Sequence, residues 1–334
     1  MSVKKVVTFI PVEPENRERI QEIAPDYEFV YLYPGSEPIM TKRKPDIEGN
    51  MDAIREAAVT FGVLPPELVP QMPHLEWAHL SMAGADRYCQ PGVLPENVKL
   101  TCSTGAFGQA ISEHMLACTL GLIKKLELYR DNMAEGEWVD HGTVRSPEDL
   151  TVLVVGLGDI GSRYARLMKL MSSYVIGVRR SGASMPDYVD ELYHPDSLDK
   201  LLPRADVVAL ALPNTPQTAG LFDSRRLALM KDGAILLNVG RGNAVDTDAL
   251  CGALESGHLG GAALDVTDPE PLPREHRLWR MPTAIVTPHV SGFFHLRKTY
   301  DNIIDIFCGE LGRFRAGLPL QNTVDRSTGY KKTV

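Results

Sequence analysis

Several absences narrow the field before any motif is considered. The 334-residue chain has five cysteines (Cys89, Cys102, Cys118, Cys251, Cys308), with no CxxC pair and no zinc-like spacing. That argues against a disulfide framework or a cysteine metal site, and reduced thiols in a cytoplasmic setting are expected. It also lacks a long apolar run: residues 6–10 make only a strand's length, and Pro11 stops them. Neither a signal peptide nor a membrane span is therefore expected. There is no excess of basic residues either, since 35 Lys and Arg against 43 Asp and Glu give a net charge of -8. Generic nucleic-acid or anionic-membrane partners are disfavoured on that ground. No internal repeat or low-complexity tract is visible, and no metal site is expected.

What is present is an ordinary globular composition, 44% hydrophobic and 23% charged, in a chain long enough for two domains. It is organised around TVLVVGLGDIGS, residues 151–162. Four apolar residues run into Gly156, Gly158 and Gly161, and a helical pattern (Tyr164, Leu167, Met168, Met171) follows. In such a strand-turn-helix the first glycine allows the turn and the second lets amides approach a pyrophosphate at the helix N-terminus. The third lets helix and strand pack closely.

Residues 1–100 read as an α/β domain without a phosphate loop. Strands are expected over residues 6–10, 27–32, 57–63, 75–82 and 98–102, with a helix over 15–23. After the fourth strand, Ala83-Gly84-Ala85-Asp86 is either a tight turn or a set of open amides for a small anion. A long helix is expected from Phe107 to about Met133, with Ile111, Met115, Cys118, Leu122 and Leu126 along one stripe. Beyond the glycine turn, strands over residues 175–178, 207–212, 234–239, 261–266 and 284–286 alternate with helices. This implies an α/β fold with a doubly wound parallel sheet and ligands at the carboxyl ends of its strands. A last long helix follows Gly292, and residues 318–324 are expected to return to the first domain.

After the second strand of this sheet, where an NAD site carries an acidic residue, the chain reads Arg179-Arg180-Ser181. Two guanidinium groups and a hydroxyl suit a 2′-phosphate, so NADP(H) is expected rather than NAD(H). A solvated loop is the alternative. Three other strand ends carry Arg241, Glu270 and His289. Singly, each has a bland reading as a surface ion pair, a loop carboxylate and a loop histidine. Brought together, they meet the needs of 2-oxo acid reduction. Arg241 offers a cation for the carboxylate and carbonyl, His289 a proton donor, and Glu270 a hydrogen-bond partner that favours the charged imidazole.

The ordered motifs GLGDIG (residues 156–161), ALPNTPQT (211–218), LLNVGRG (236–242), DVTDPEP (265–271) and TPHVSG (287–292) resemble those of D-isomer-specific 2-hydroxyacid dehydrogenases. The pattern is closest to NADPH-using glyoxylate/hydroxypyruvate reductases, and weaker similarity covers nearly the whole chain. The resemblance implies Arg241, Glu270 and His289 as catalytic residues and Gly156, Gly158, Asp159, Ile160 and Gly161 at the pyrophosphate. It also implies Pro213 along the adenosine and Val239 and Asp265 near the nicotinamide. Leu212, Thr218, Gly240, His289 and Gly292 complete the cofactor set, beside Arg179, Arg180 and Ser181. Ala83 and Gly84 align with the loop that takes the substrate carboxylate, together with Arg241. The family fold implies a Rossmann cofactor domain (105–290) inserted into a smaller flavodoxin-like substrate domain (1–104 and 291–334), with a hinge and cleft closure. No regulatory domain is expected beyond Val334.

Relatives are commonly homodimers, and residues 129–147 would then form the interface arm. Trp138 in that arm is read either as an interface residue or as an intrachain packing residue. Two departures stand out: Gly108 replaces a threonine frequent at the start of the interdomain helix, and Ala211 replaces a polar residue, often histidine. The expected activity is NADPH-dependent reduction of small 2-oxo acids such as glyoxylate, hydroxypyruvate or a short 2-oxocarboxylate. The alternatives are oxidation of another small anion, a D-hydroxy acid or phosphite, and a dinucleotide-sensing interaction protein. Formate oxidation is disfavoured by Glu270, which related formate enzymes lack.

Overall fold

Strands that read as uninterrupted apolar runs need cover on both faces, which a parallel sheet flanked by helices supplies. The computed structural model describes residues 3–33, 44–180 and 184–332, and contains two such sheets. The chain divides into two units, Met1–Phe107 with Phe294–Val334, and Gly108–Phe293.

The first unit opens with β1 (Lys5–Phe9), α1 (Pro14–Ile23), β2 (Glu28–Tyr31), α2 (Met51–Arg55), β3 (Ala57–Gly62), β4 (Trp77–Leu80) and β5 (Lys99–Cys102). Its strands are all parallel, in the order β2-β1-β3-β4-β5. That is the flavodoxin-like order. Every residue of the central strand β3 is buried, as its AAVTFG sequence requires. After β2 the sequence predicts a polar, proline-bearing stretch over residues 35–45, most of which lies outside the described residues.

The second unit begins with α3 (Gly108–Lys124) and α4 (Leu126–Glu135). The single helix expected from Phe107 to Met133 is thus two, because Lys125 adopts a left-handed conformation with φ 58°. The break turns Leu126 out of the apolar stripe to 57% exposure, whereas Ile111, Met115, Cys118 and Leu122 stay buried. Then come β6 (Thr151–Val155), α5 (Asp159–Leu170), β7 (Tyr174–Val178), β8 (Glu191–Tyr193), α6 (Leu198–Leu201), β9 (Val207–Leu210), α7 (Ser224–Leu229), β10 (Ala234–Asn238), α8 (Thr247–Glu255), β11 (Leu259–Leu264) and β12 (Ala284–Val286). All pair in parallel, in the order β12-β11-β10-β9-β6-β7-β8.

The direction of winding reverses between β6 and β9, and such a switch point is where ligands bind an open α/β sheet. At the opposite, amino-terminal end, buried Asp206 ties three segments together. It accepts from the Thr151 amide at 2.8 Å, Lys231 Nζ at 2.6 Å and Arg145 at 2.7 Å. Burial alone would raise this carboxyl's pKa, but these three partners together hold it below its ordinary value.

The chain then returns to the first unit as α9 (Arg297–Arg315) and the hairpin β13 (Val324–Asp325) and β14 (Tyr330–Lys331). Phe307 of α9 stacks on Phe61 at 3.9 Å and 2°, with Trp77 a further 5.7 Å neighbour. His79 lies in the same core, within hydrogen-bond distance of Thr101 Oγ1 (2.7 Å) and Ser103 Oγ (3.2 Å). Burial pushes its imidazole down to about 3, so it sits there neutral. No helix among the described residues is long and apolar enough to cross a membrane.

Candidate active site

The glycine turn follows β6 as its sequence requires. Gly156 has φ 101°, and a Cβ there would lie 2.6 Å from the Ala211 carbonyl oxygen. At Gly161 a Cβ would lie 1.9 Å from the Gly156 oxygen, so helix and turn are in backbone contact. Gly158 differs, for nothing lies within 4 Å of a Cβ built on it. The middle position therefore faces open space at the N-terminus of α5, where amides and helix dipole favour an anion. Gly108 has its own reason: a Cβ would fall 2.4 Å from Asp159 Oδ2 and 2.6 Å from the Arg163 side chain. The Asp159–Arg163 ion pair (3.0 Å) fills the room a threonine would take.

At the end of β7, Arg179 donates its amide to the Tyr193 carbonyl at 3.1 Å and Nη2 to the Ser184 carbonyl at 2.7 Å. Its Nε is buried with no hydrogen-bond partner among the described residues. Burying a charged donor unpaired is costly, and an anionic group at this strand end would satisfy it. Arg180 is exposed, and Ser181 lies outside the described residues. After β9, the Thr218 hydroxyl donates to the Pro213 carbonyl at 2.6 Å and accepts from the Thr215 amide at 2.9 Å. It closes the loop that carries Leu212 and Pro213.

After β10, buried Asn238 shapes the turn that presents Arg241. Its Oδ1 accepts from the Gly240 amide at 3.0 Å, and its Nδ2 donates to the Arg241 carbonyl at 2.9 Å. The Arg241 guanidinium donates to the Gly240 carbonyl at 2.9 Å. This turn packs against the loop after β11, since a Cβ on Gly242 would lie 1.9 Å from the Thr267 oxygen.

Asp265, 3% exposed, joins that loop to the one after β12. It accepts from Thr287 Oγ1 at 2.7 Å, from the amides of Val290 (2.9 Å) and Ser291 (3.1 Å), and from the Ser291 hydroxyl. Its own carbonyl accepts the His289 amide at 2.9 Å. His289 is held at φ 53°, a left-handed conformation that costs a non-glycine residue about 1–2 kcal/mol. In this pose His289 Nδ1 lies 2.6 Å from Glu270 Oε1, with both side chains about half exposed, at 49% and 42%.

Glu270 and His289 are thus in direct contact, and the Arg241 turn packs on the loop that carries Glu270. Val239 and Asp265 line one small cavity with His114, Met115 and Cys118. His114 Nε2 lies 3.4 Å from Thr287 Oγ1. Gly292 is half-buried directly after Ser291, and Ala83 and Gly84 lie in the first unit. Sequence reasoning gave no role to Asn238, Thr287 or Ser291. The available signal was a polar residue closing or following an apolar strand, where a buried side chain must find backbone partners. Trp138 is fully exposed, which rules out its reading as an intrachain packing residue.

A seven-stranded parallel sheet, a glycine turn at its switch point and an open helix N-terminus define a dinucleotide-binding α/β protein. Residues 116–291 match the family model described as D-isomer specific 2-hydroxyacid dehydrogenase, NAD binding domain. The glyoxylate/hydroxypyruvate reductase A of Escherichia fergusonii is 31% identical over 223 residues, covering 67% of this chain and 70% of that protein. Among solved structures, a D-isomer specific 2-hydroxyacid dehydrogenase family protein from Aeromonas salmonicida has a TM-score of 0.83 at 30% identity. That likeness covers 97% of this chain and 100% of the other. The NADPH-dependent glyoxylate/hydroxypyruvate reductase of Sinorhizobium meliloti, in complex with NADP and sulfate, has a TM-score of 0.79 at 28% identity, covering 98% and 100%. The chain belongs to the D-isomer-specific 2-hydroxyacid dehydrogenase family, a family of oxidoreductases.

Proposed function

We propose that the protein reduces small 2-oxo acids, such as glyoxylate, hydroxypyruvate or a short 2-oxocarboxylate, to D-2-hydroxy acids with NADPH. The observation that carries the reading is the 2.6 Å His289–Glu270 pair on loops at the carboxyl ends of β12 and β11. His289 donates a proton to the carbonyl oxygen, and Glu270, 2.6 Å from its Nδ1, orients the ring. Arg241 holds the substrate carboxylate and polarises the carbonyl with a rigid fork of donors. As the family resemblance implies, the amides of Ala83 and Gly84 take a substrate carboxylate.

Gly156, Gly158, Asp159, Ile160 and Gly161 hold the cofactor pyrophosphate. Leu212, Pro213 and Thr218 line the adenosine; Val239, Gly240, Asp265, His289 and Gly292 surround the nicotinamide. When bound, the reduced nicotinamide supplies the hydride. Arg179 and Arg180, with Ser181, hold the 2′-phosphate. The buried Nε of Arg179, without a partner among the described residues, supports this, as does the NADP complex of the S. meliloti relative. As the resemblance implies, residues 1–104 and 291–334 form the substrate domain and residues 105–290 the cofactor domain. The protein acts in the cytoplasm as a homodimer, with exposed Trp138 in the interface arm.

The test is a cofactor-consumption screen over glyoxylate, hydroxypyruvate, pyruvate and branched 2-oxo acids, with NADPH and NADH in parallel. Turnover of a small 2-oxo acid with a preference for NADPH is expected. Tight NADPH binding with no turnover of any of them would defeat the reading.

A further inference from the structure

The turn after β4 is fixed from two sides. On one side Met82 accepts the Ser103 amide at 2.9 Å, and on the other Ala85 donates its amide to the Gly329 carbonyl at 2.7 Å. Between these anchors lie Ala83 and Gly84, both half-buried. Among the described residues neither of their amides donates a backbone hydrogen bond. Two adjacent free amides between two fixed residues form a preorganised anion seat.

The second anchor comes from the β13–β14 hairpin, which is itself firmly tied. Val324 is 3% exposed in the core cluster that includes Ala85 and Tyr88. Asn322 Nδ2 donates to the carbonyls of Cys102 and Thr104, both at 2.9 Å, and its Oδ1 accepts from Lys331 Nζ at 2.6 Å. The Arg326 guanidinium spans three carbonyls of the segment before β5, Leu94 and Pro95 at 2.8 Å and Val98 at 2.7 Å. Gly329 completes the contact with φ 71°, where a Cβ would lie 2.6 Å from Asp86 Cα. Glycine serves here because backbone meets backbone at a left-handed position.

We propose that this hairpin positions the substrate turn, with Gly329 and Arg326 as positioning residues for the Ala83 and Gly84 amides. The inference rests on the proposed role of that turn in holding the substrate carboxylate. Gly329→Ala pushes directly on Asp86, whereas Arg326→Ala loosens the hairpin without adding bulk. Either change should move the two amides off the carboxylate, leaving cofactor binding and proton donation alone.

The experiment compares full-length Gly329→Ala, Arg326→Ala and Arg326→Lys with the unmodified protein, using glyoxylate and NADPH kinetics and hydrogen exchange at the Ala85 amide. Loss of one well-placed hydrogen bond predicts roughly a three- to tenfold rise in the glyoxylate KM. The kcat and the NADPH KM should stay unchanged, Ala85 exchange should be faster, and Arg326→Lys should restore part of the loss. Unchanged Ala85 exchange in the alanine variants, or a rise in both KM values together, overturns the proposal. If Gly329→Ala does not fold, Arg326→Ala decides. If the unmodified protein turns over no 2-oxo acid, the functional reading fails, and the exchange measurement still decides whether the hairpin holds the turn.

Discussion

His289 Nδ1 lies 2.6 Å from Glu270 Oε1, although the two residues sit on different loops of the second sheet. The pair orients the ring, leaving Nε2 as its other hydrogen-bonding nitrogen. His289→Ala should lower kcat by roughly two to four orders of magnitude, the range that general acid catalysis supplies. NADPH affinity should be largely retained, because the substitution leaves the glycine turn and the β7 strand end intact. Glu270→Gln keeps a neutral partner but not the charge, so its kcat loss should be smaller. Steady-state kinetics with cofactor titration would check both, and equal loss of NADPH affinity and kcat would contradict the assignment.

Asp265 predicts a different outcome. Its carboxylate is occupied by the Thr287 hydroxyl, the Val290 and Ser291 amides and the Ser291 hydroxyl, so it organises the loop that holds His289. Asp265→Ala leaves those donors buried and unpaired, at a cost of about 1–3 kcal/mol. It also removes the side-chain anchors of Val290 and Ser291 that flank the left-handed His289, while the Asp265 carbonyl still accepts the His289 amide. A lower thermal midpoint together with a lower kcat is expected. A fall in kcat with no change in midpoint would assign Asp265 to the reaction alone.

The contrast between these residues shows what the sequence makes legible. The apolar runs of β6, β9 and β10 and the glycine spacing set the second sheet, because burial on two faces leaves a one-dimensional trace. Arg241, Glu270 and His289 were visible as charged residues after such runs. The work of Asn238, Thr287 and Ser291 was not, since it depends on which backbone amides a loop leaves unpaired. The break at Lys125 was hidden as well. Lysine is a good helix former, and only the left-handed turn separates α3 from α4. Edge strand β8, three residues half-buried, carries too short a pattern to read.

Arg179 and Arg180, the proposed 2′-phosphate pair, stand in different states of burial. Arg179 has a buried Nε without a hydrogen-bond partner among the described residues, and Arg180 is exposed. Arg179→Ala with Arg180→Ala should raise the NADPH KM by roughly ten- to a hundredfold, as expected for lost charge-assisted hydrogen bonds of about 1.5–3 kcal/mol. The NADH KM should hardly change, because NADH lacks the phosphate. Equal effects on the two cofactors in parallel KM measurements would show that the arginines do not read it.

His79 gives the first unit an acid sensitivity independent of catalysis. The folded imidazole is pushed down to about 3 by burial, whereas an unfolded histidine titrates near about 6.5. Between those values the unfolded chain takes up a proton that the folded chain refuses. The stabilising contribution is therefore complete above the unfolded value and is lost as pH falls, by at most about 1.4 kcal/mol per pH unit. Urea unfolding can be followed through Trp77, which is buried in the same core while Trp138 and Trp279 are exposed. The midpoint should fall between pH 7 and pH 5, roughly the upper part of that window. In His79→Gln, whose amide can still reach Thr101 and Ser103, that part of the slope should vanish. If the variant keeps the full slope, the acid sensitivity comes from carboxylates and not from this histidine.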